Sequence, residues 1–295
     1  MVGRRNGKPE APRSQRVTAM KLTTMALRAG AVITAVLAVL IYAFRAPSLA
    51  ITKVSLEGKV YLVTGCTIGG IGYETAVILA GEMNATVLCT VRSKDKGDAM
   101  MQTATLRLQA SRGKISYAIV DFASFQSVRA FAQQAISTLK RLDGIVLNAG
   151  MHAPRVQITE DGLNQDIQVN HYSQFLLTRL LEDLLVASAP SRLVIISSGV
   201  MYNGVLNRTL YEHAARPQTR GDIPVGHMQG LGPYEDSKLM NVLAANAFAE
   251  HFRNRNVDVV ATSCAPGTVA VSLCSLASRC ALTRMRACTG VDECV

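Results

Sequence analysis

From residue 59 onward, six short apolar runs rich in valine and isoleucine alternate with stretches of helical periodicity. That alternation leaves few folds open. The runs are KVYLVTG (59–65), ATVLCT (85–90), ISYAIVD (115–121), DGIVLNAG (143–150), RLVIISS (192–198) and VDVVATSCAPG (257–267). Helical stretches separate them over 73–83, 94–110, 122–140, about 163–187 and about 234–253. Runs without an apolar/polar alternation are strands covered on both faces, which is the condition of a parallel sheet. Right-handed crossovers then wind helices onto both sides, and a ligand crevice opens at the carboxyl ends of the strands. The expected fold is α/β, a doubly wound parallel sheet, over residues 55–273. No internal repeat or low-complexity stretch interrupts it.

Charge is distributed unevenly. Of a net +10, residues 1–59 carry +8 (10 Lys+Arg, 2 Asp+Glu) and residues 60–295 only +2 (21 and 19). A nucleic-acid footprint needs its basic charge on the folded domain, so nucleic acid is not an expected partner. A basic arm over 1–21 leads into an uncharged run, Ala29–Phe44, which extends back to Leu22 with Arg28 as its one charge. About 20 apolar residues span a bilayer, and Arg28 can snorkel to the headgroups. A cleaved signal peptide (small-x-small at Ser48-Leu49-Ala50) and a transit peptide compete with this reading. An uncleaved transmembrane signal anchor over 22–46 fits best, because the leader is long and the run is not amphipathic. The arm's charge favours a cytosolic N-terminus, whereas Lys53 and Lys59 on the other flank oppose it, so the side of the folded body stays open. Four of seven cysteines (Cys274, Cys280, Cys288, Cys294) crowd an atypical tail, 274–295, without close pairs or histidines. No metal site is expected.

The first run ends in a glycine-rich loop that opens a helix, Thr64-Gly65-Cys66-Thr67-Ile68-Gly69-Gly70-Ile71-Gly72. Absent side chains let backbone approach a pyrophosphate, and the helix N-terminus offers free N–H groups to it. A tight βα turn would read the same way. After the second run, where an acid would bind a ribose 2′-hydroxyl, the chain has Thr90-Val91-Arg92 with Lys94 and Lys96. Arg92 could hold a 2′-phosphate by a charge-assisted bond, which favours NADP over NAD. The bland reading is a solvated arginine.

Tyr234 and Lys238 stand at i and i+4 at the start of a helix, on one face. A phenol is a poor acid–base group near neutrality unless a neighbouring cation favours its phenolate. The pair alone is common surface decoration. Ser198 closes the fifth run, Asn148 the fourth, and Asn170 is a polar residue within a long apolar helix; each alone reads as a cap or a satisfied core polar group. Their convergence at one sheet edge points to a site for a carbonyl poised for hydride attack.

With these residues in place the chain resembles the short-chain dehydrogenase/reductase family, and within it the retinol dehydrogenase-like, membrane-anchored members. The resemblance covers residues 58 to about 273. It rests on the glycine loop, Asp121-Phe122-Ala123-Ser124, Leu147-Asn148-Ala149-Gly150, Val169-Asn170-His171, Ser191 to Ser198, Tyr234-x-x-Ser237-Lys238 and Pro266-Gly267-Thr268. It implies a Rossmann-type fold and an enzyme that exchanges hydride between NADP(H) and a lipophilic alcohol or carbonyl, such as a retinoid or steroid. By the resemblance, Tyr234 is the general acid, Lys238 lowers its pKa and holds the ribose, Ser198 orients the carbonyl, and Asn170 supports a water relay. The implied cofactor cleft comprises Gly65, Thr67, Gly70, Ile71, Gly72, Arg92, Asp121, Asn148, Ala149, Gly150, Pro266, Gly267 and Thr268, with Tyr234 and Lys238. The implied setting is single-pass in the endoplasmic reticulum membrane, with a homodimer allowed.

Three departures from the family pattern stand out. One extra residue separates Gly65 from Gly70-Ile71-Gly72, so Gly69 or its neighbour must bulge. Leu147 replaces the family's first asparagine. The family's substrate-covering segment and last strand have no counterpart in the closing SLCSLASRCALTRMRACTGVDECV, which reads as a truncated or altered end. A membrane-tethered cofactor-binding protein with a degraded active site is therefore the alternative, and a protochlorophyllide reductase-like enzyme a distant one. The long connection 199–233, with His213, Arg216, Arg220 and His227, reads as a substrate lid or a flexible insertion. His171 reads as packing beside Asn170.

Overall fold

A computed structural model of the chain describes residues 30, 34, 54–109, 111–153, 157–206 and 232–267. The chain divides into two compact units, Met1–Ala50 and Ile51–Val295. In the first, Gly30 and Thr34 are helical, with the Thr34 hydroxyl donating to the Gly30 carbonyl at 2.8 Å. The rest of the basic arm and anchor, the connection 207–231 and the tail from Thr268 lie outside the described residues. Among the described residues no helix is long and apolar enough to cross a membrane.

The second unit is built on a six-stranded sheet: β1 (Val60–Val63), β2 (Thr86–Val91), β3 (Lys114–Ile119), β4 (Gly144–Leu147), β5 (Ser191–Ile196) and β6 (Val259–Cys264). Their order is β3-β2-β1-β4-β5-β6, and every neighbouring pair is parallel. Each strand falls inside or within one residue of its apolar run. The helices are α1 (Ile71–Val77, continued by a π-helical turn Ile78–Glu82), α2 (Lys94–Arg107), α3 (Phe125–Thr138), α4 and α5 (Gly232–Asn254). Helix α4 starts at Gln165–Ile167, passes through a π-helical turn at Gln168–Tyr172 and resumes as Ser173–Ala187.

The period-2 geometry of strands sends adjacent residues to opposite faces, and two cores result. Leu62, Ile145, Leu147, Leu193 and Ile195 face α3, α4 and α5, where they meet Phe131, Leu177, Leu181, Phe248 and Phe252. Val63, Val87 and Cys89 face α1 and α2, where they meet Tyr73, Val77 and Met100. Helix α3 starts where Ser124 accepts from the Ser127 N–H at 3.3 Å. Such a cap contributes about 1 kcal/mol. Strand order reverses between β1 and β4, so the crevice that opens at a topological switch point lies between the ends of those two strands.

The structure corrects two sequence expectations. Ser198 is not in a strand: β5 ends at Ile196, and Ser198 caps a 3-10 helix, Gly199–Asn203, accepting from Val200 N–H at 3.5 Å. The helix carrying Asn170 is not regular but widens there into a π turn. Apolar periodicity, which reports the average winding of a helix, does not register one wide turn.

Candidate active site

Thr64, the residue after β1, is fully buried and ties the switch point together. Its hydroxyl oxygen accepts from the N–H of Asn148 at 2.9 Å and of Ala149 at 2.8 Å, and the hydroxyl donates to Gln174 Oε1 at 3.2 Å. Asn148 returns the contact by donating from Nδ2 to the carbonyls of Thr64 (2.8 Å) and Gly65 (3.2 Å). Gln174, on α4, donates to the Ala149 carbonyl at 3.2 Å. This closed network sets the loop after β4 against the glycine loop, and two positions there accept only glycine. A Cβ on Gly65, whose φ is +73°, would stand 2.8 Å from Ala149 Cα. One on Gly72 would stand 2.5 Å from Asn148 Nδ2.

The extra loop residue is absorbed in a turn. Gly70 N–H donates to the Thr67 carbonyl at 2.9 Å, and Gly69 has φ +76°, the positive φ a type II turn needs at its third residue. Gly70 then precedes α1 with no side chain capping the helix, and Ile71 and Gly72 are its first residues. The first N–H groups of a helix have no partner within it. Cys66 is buried beside Cys89, and burial pushes its thiol well above the ordinary range, so it is a packing residue.

Asn170 sits in the π turn, almost fully buried. Its Nδ2 donates to the Met151 carbonyl at 2.9 Å and the Ser237 hydroxyl at 3.0 Å, while Oδ1 accepts from Met151 N–H at 2.7 Å. It thereby links the loop after β4 to α5. The Ser237 hydroxyl donates to the Tyr234 carbonyl at 2.7 Å. Lys238 donates to the Ile196 carbonyl at 3.3 Å, and its Nζ lies 5.4 Å from the centroid of the Tyr234 ring. A Cβ on Gly150 would come within 3.3 Å of both Lys238 Nζ and Asn170 Oδ1. Tyr234, Lys238, Ser198, Asn170 and Gly150 therefore meet at one place.

Burial dominates the electrostatics of this cluster. It lowers the Lys238 ammonium to about 8. Burial also raises the Tyr234 phenol above its ordinary value, a hydrogen bond from Ser198 partly opposes it, and the Asp166 charge adds to it. Lys238 is not among the groups that shift Tyr234 here; its ammonium lies over the ring and donates to a main-chain carbonyl.

The remaining expected residues follow other strands at the same edge of the sheet. Arg92 follows β2, is exposed and forms no ion pair among the described residues. Asp121 follows β3, and its Oδ1 accepts from Ala123 N–H at 2.9 Å. Pro266 and Gly267 follow β6, Gly267 with φ +74°; Thr268 lies outside the described residues. Among the described residues, no group of three or more His, Cys, Asp or Glu side chains could hold a metal.

A family model described as short chain dehydrogenase matches residues 59–215. This chain belongs to the short-chain dehydrogenase family. Dehydrogenase/reductase SDR family member 13 of Bos taurus is 37% identical over 215 residues, covering 73% of this chain and 52% of its own. Retinol dehydrogenase 11 of Mus musculus is 34% identical, covering 74% of this chain and 64% of its own. The chain thus spans about half to two thirds the length of these relatives. A solved metagenomic short-chain oxidoreductase in complex with NADP superposes with a TM-score of 0.55 at 25% identity, covering 72% of this chain and 84% of that one.

Several residues of this short-chain dehydrogenase site escaped the sequence reading. Gln174 completes the switch-point network and no local pattern marks it, while Thr64 stood in the glycine loop without a signal for its role as the hydrogen-bonding hub. Asn241 donates from Nδ2 to the same Ile196 carbonyl as Lys238, at 3.1 Å, and its Oδ1, an acceptor, lies 3.1 Å from His171 Nδ1. Its i+3 spacing from Lys238 is the signal that could have found it. His152 and Asp166 are 3.1 Å apart beside Tyr234, and their separation of 14 residues carries no signal.

Proposed function

We propose that this chain binds NADP(H) and catalyses hydride exchange between it and the alcohol or carbonyl group of a lipophilic molecule. One observation carries the reading: Tyr234, Ser198 and Lys238 meet beside the switch point, against Gly150, with the uncapped start of α1 at the same sheet edge. These residues fit a dinucleotide. The glycine loop runs into the uncapped start of α1, whose first N–H groups suit the charge of a phosphate, and Arg92, exposed and without an ion pair among the described residues, could take a 2′-phosphate. NADP is favoured by Arg92 and by the NADP complex of the similar solved structure. The lipophilic substrate is suggested by the name of the mouse retinol dehydrogenase and by the apolar run over 22–46.

The bound nicotinamide would supply or accept the hydride. Tyr234 Oη would give its proton to the carbonyl oxygen in reduction and take it back in oxidation. Ser198 Oγ would donate to that same oxygen and favour the Tyr234 phenolate. Lys238 would place positive charge by the ring as the phenolate forms, and Asn170 holds the loop against α5 so that Gly150 and Lys238 keep their spacing.

The test uses the full chain in detergent micelles with NADPH or NADH and retinaldehyde or an aliphatic aldehyde. Oxidation of NADPH is expected, falling about 10²–10⁴-fold in Tyr234→Phe while NADPH binding persists. Arg92→Ala should weaken NADPH about 10–100-fold and leave NADH unchanged, since one charge-assisted hydrogen bond contributes about 1.5–3 kcal/mol. Unchanged turnover in Tyr234→Phe would overturn the mechanism. Tight NADPH binding without hydride transfer to any carbonyl would favour the non-catalytic alternative.

A further inference from the structure

Next to Tyr234 stands a pair that the proposed chemistry does not use. Asp166, in the first turn of α4, is 4% exposed. Its Oδ1 accepts from Ala153 N–H at 2.9 Å and its Oδ2 lies 3.1 Å from His152 Nδ1. The His152 side chain is 35% exposed, and its ring centroid is 5.5 Å from that of Tyr234 at an interplanar angle of 59°. Burying a carboxylate is costly unless it is bonded, and here one of its two partners is a ring that remains half open. The charge of Asp166 reaches far enough to act on the Tyr234 phenol.

The protonation of the ring follows from its partners. An ionised carboxylate only accepts, so in neutral His152 the proton sits on Nδ1, towards Asp166. Nε2 is left with a lone pair and makes no hydrogen bond among the described residues. We propose that His152, oriented by Asp166, is a substrate-binding residue that accepts a hydrogen bond from a hydroxyl near the reacting carbon, so the preferred substrates are hydroxylated carbonyl compounds. This deepens the hydride-transfer reading and rests on it. Asp166 is a positioning residue: it acts through the imidazole by choosing which nitrogen carries the proton.

That dependence provides a test beyond loss of function. In Asp166→Asn, the Ala153 N–H still requires an acceptor, which fixes the amide oxygen on that side. The amide NH₂ then faces His152 Nδ1 and must donate, which moves the ring proton to Nε2 and turns an acceptor into a donor. His152→Phe keeps a ring against Tyr234, removes both nitrogens and reports the preference that size alone produces. The experiment measures kcat/KM with NADPH at about pH 8 for hexyl hydroxymethyl ketone and its methyl ether, hexyl methoxymethyl ketone.

The ratio of hydroxy to methoxy ketone should be about 2–10-fold higher in the wild type than in His152→Phe, the effect of one neutral hydrogen bond. In Asp166→Asn it should fall to about that of His152→Phe although the ring is retained, because an Nε2–H donates to the hydroxyl oxygen and to the methoxy oxygen alike. Equal ratios in all three proteins would overturn the inference. So would a wild type that reduces retinaldehyde but neither ketone, which leaves the hydride-transfer reading standing. A wild type that binds NADPH and reduces none of the three overturns that reading and the inference with it.

Discussion

Gly72→Ala tests whether the glycine loop and the loop after β4 are packed as described. The new methyl carbon would lie 2.5 Å from Asn148 Nδ2, 2.7 Å from the Gly65 carbonyl oxygen and 3.1 Å from its carbon. Neither neighbour can swing aside freely, since one is backbone and the other is held by the Thr64 and Gly65 carbonyls at 2.8 and 3.2 Å. Releasing those two bonds costs about 1–3 kcal/mol, and forcing a methyl into a filled space costs about 1–3 kcal/mol more. The better helix propensity of alanine returns about 1 kcal/mol. The net loss of about 1–5 kcal/mol corresponds to a Tm lower by roughly 2–20 °C for a body of this size. Thermal unfolding followed by circular dichroism measures it, with Gly199→Ala as control, because a Cβ there meets nothing within 4 Å. NADPH titration by calorimetry should show weakened binding in Gly72→Ala alone, since the displaced Gly65 carbonyl lies in the loop that would hold the phosphates. A Gly72→Ala protein that melts with the wild type and binds NADPH equally would refute the close packing of these two loops.

Lys238 makes stability depend on pH in a defined direction. Its folded value of about 8 lies below the ordinary lysine range, so between about 8 and 10.4 the unfolded chain binds more protons than the folded one. Stability should therefore rise across that window, by up to about 3 kcal/mol, and the rise should vanish in Lys238→Met when urea midpoints of the two proteins are compared. Asn170→Ala should lower stability by about 2–4 kcal/mol in urea unfolding, because it strands the half-buried N–H and carbonyl of Met151 and the buried Ser237 hydroxyl. A loss below about 1 kcal/mol would mean that water replaces the amide there.

The parallel α/β class was legible because the central strands β1, β2 and β4 are covered on both faces and so appear as unbroken apolar runs between helical periods, whereas the edge strand β3 alternates between exposed and half-buried residues. The glycine loop was legible too, since a residue without Cβ adopts the φ of +73° at Gly65 and +76° at Gly69 without strain. The Tyr234–Lys238 spacing needed nothing beyond the helical repeat. How the extra loop residue is accommodated required three dimensions, because a bulge and a turn have the same composition.

What the chain order alone determined is the set of local conformations and which chemical groups arrive at the carboxyl edge of the sheet. The tertiary structure decided which of those groups touch. Thr64 finds Asn148 across 84 residues, Asn170 finds Ser237 across 67, and Asp166 finds the ring beside Tyr234. It also decided their protonation, placing Lys238 low and Tyr234 high through burial that no spacing encodes. Local order is written in φ, ψ and hydrophobic period over a few residues. Contact and desolvation depend on which distant segments exclude water from the same volume.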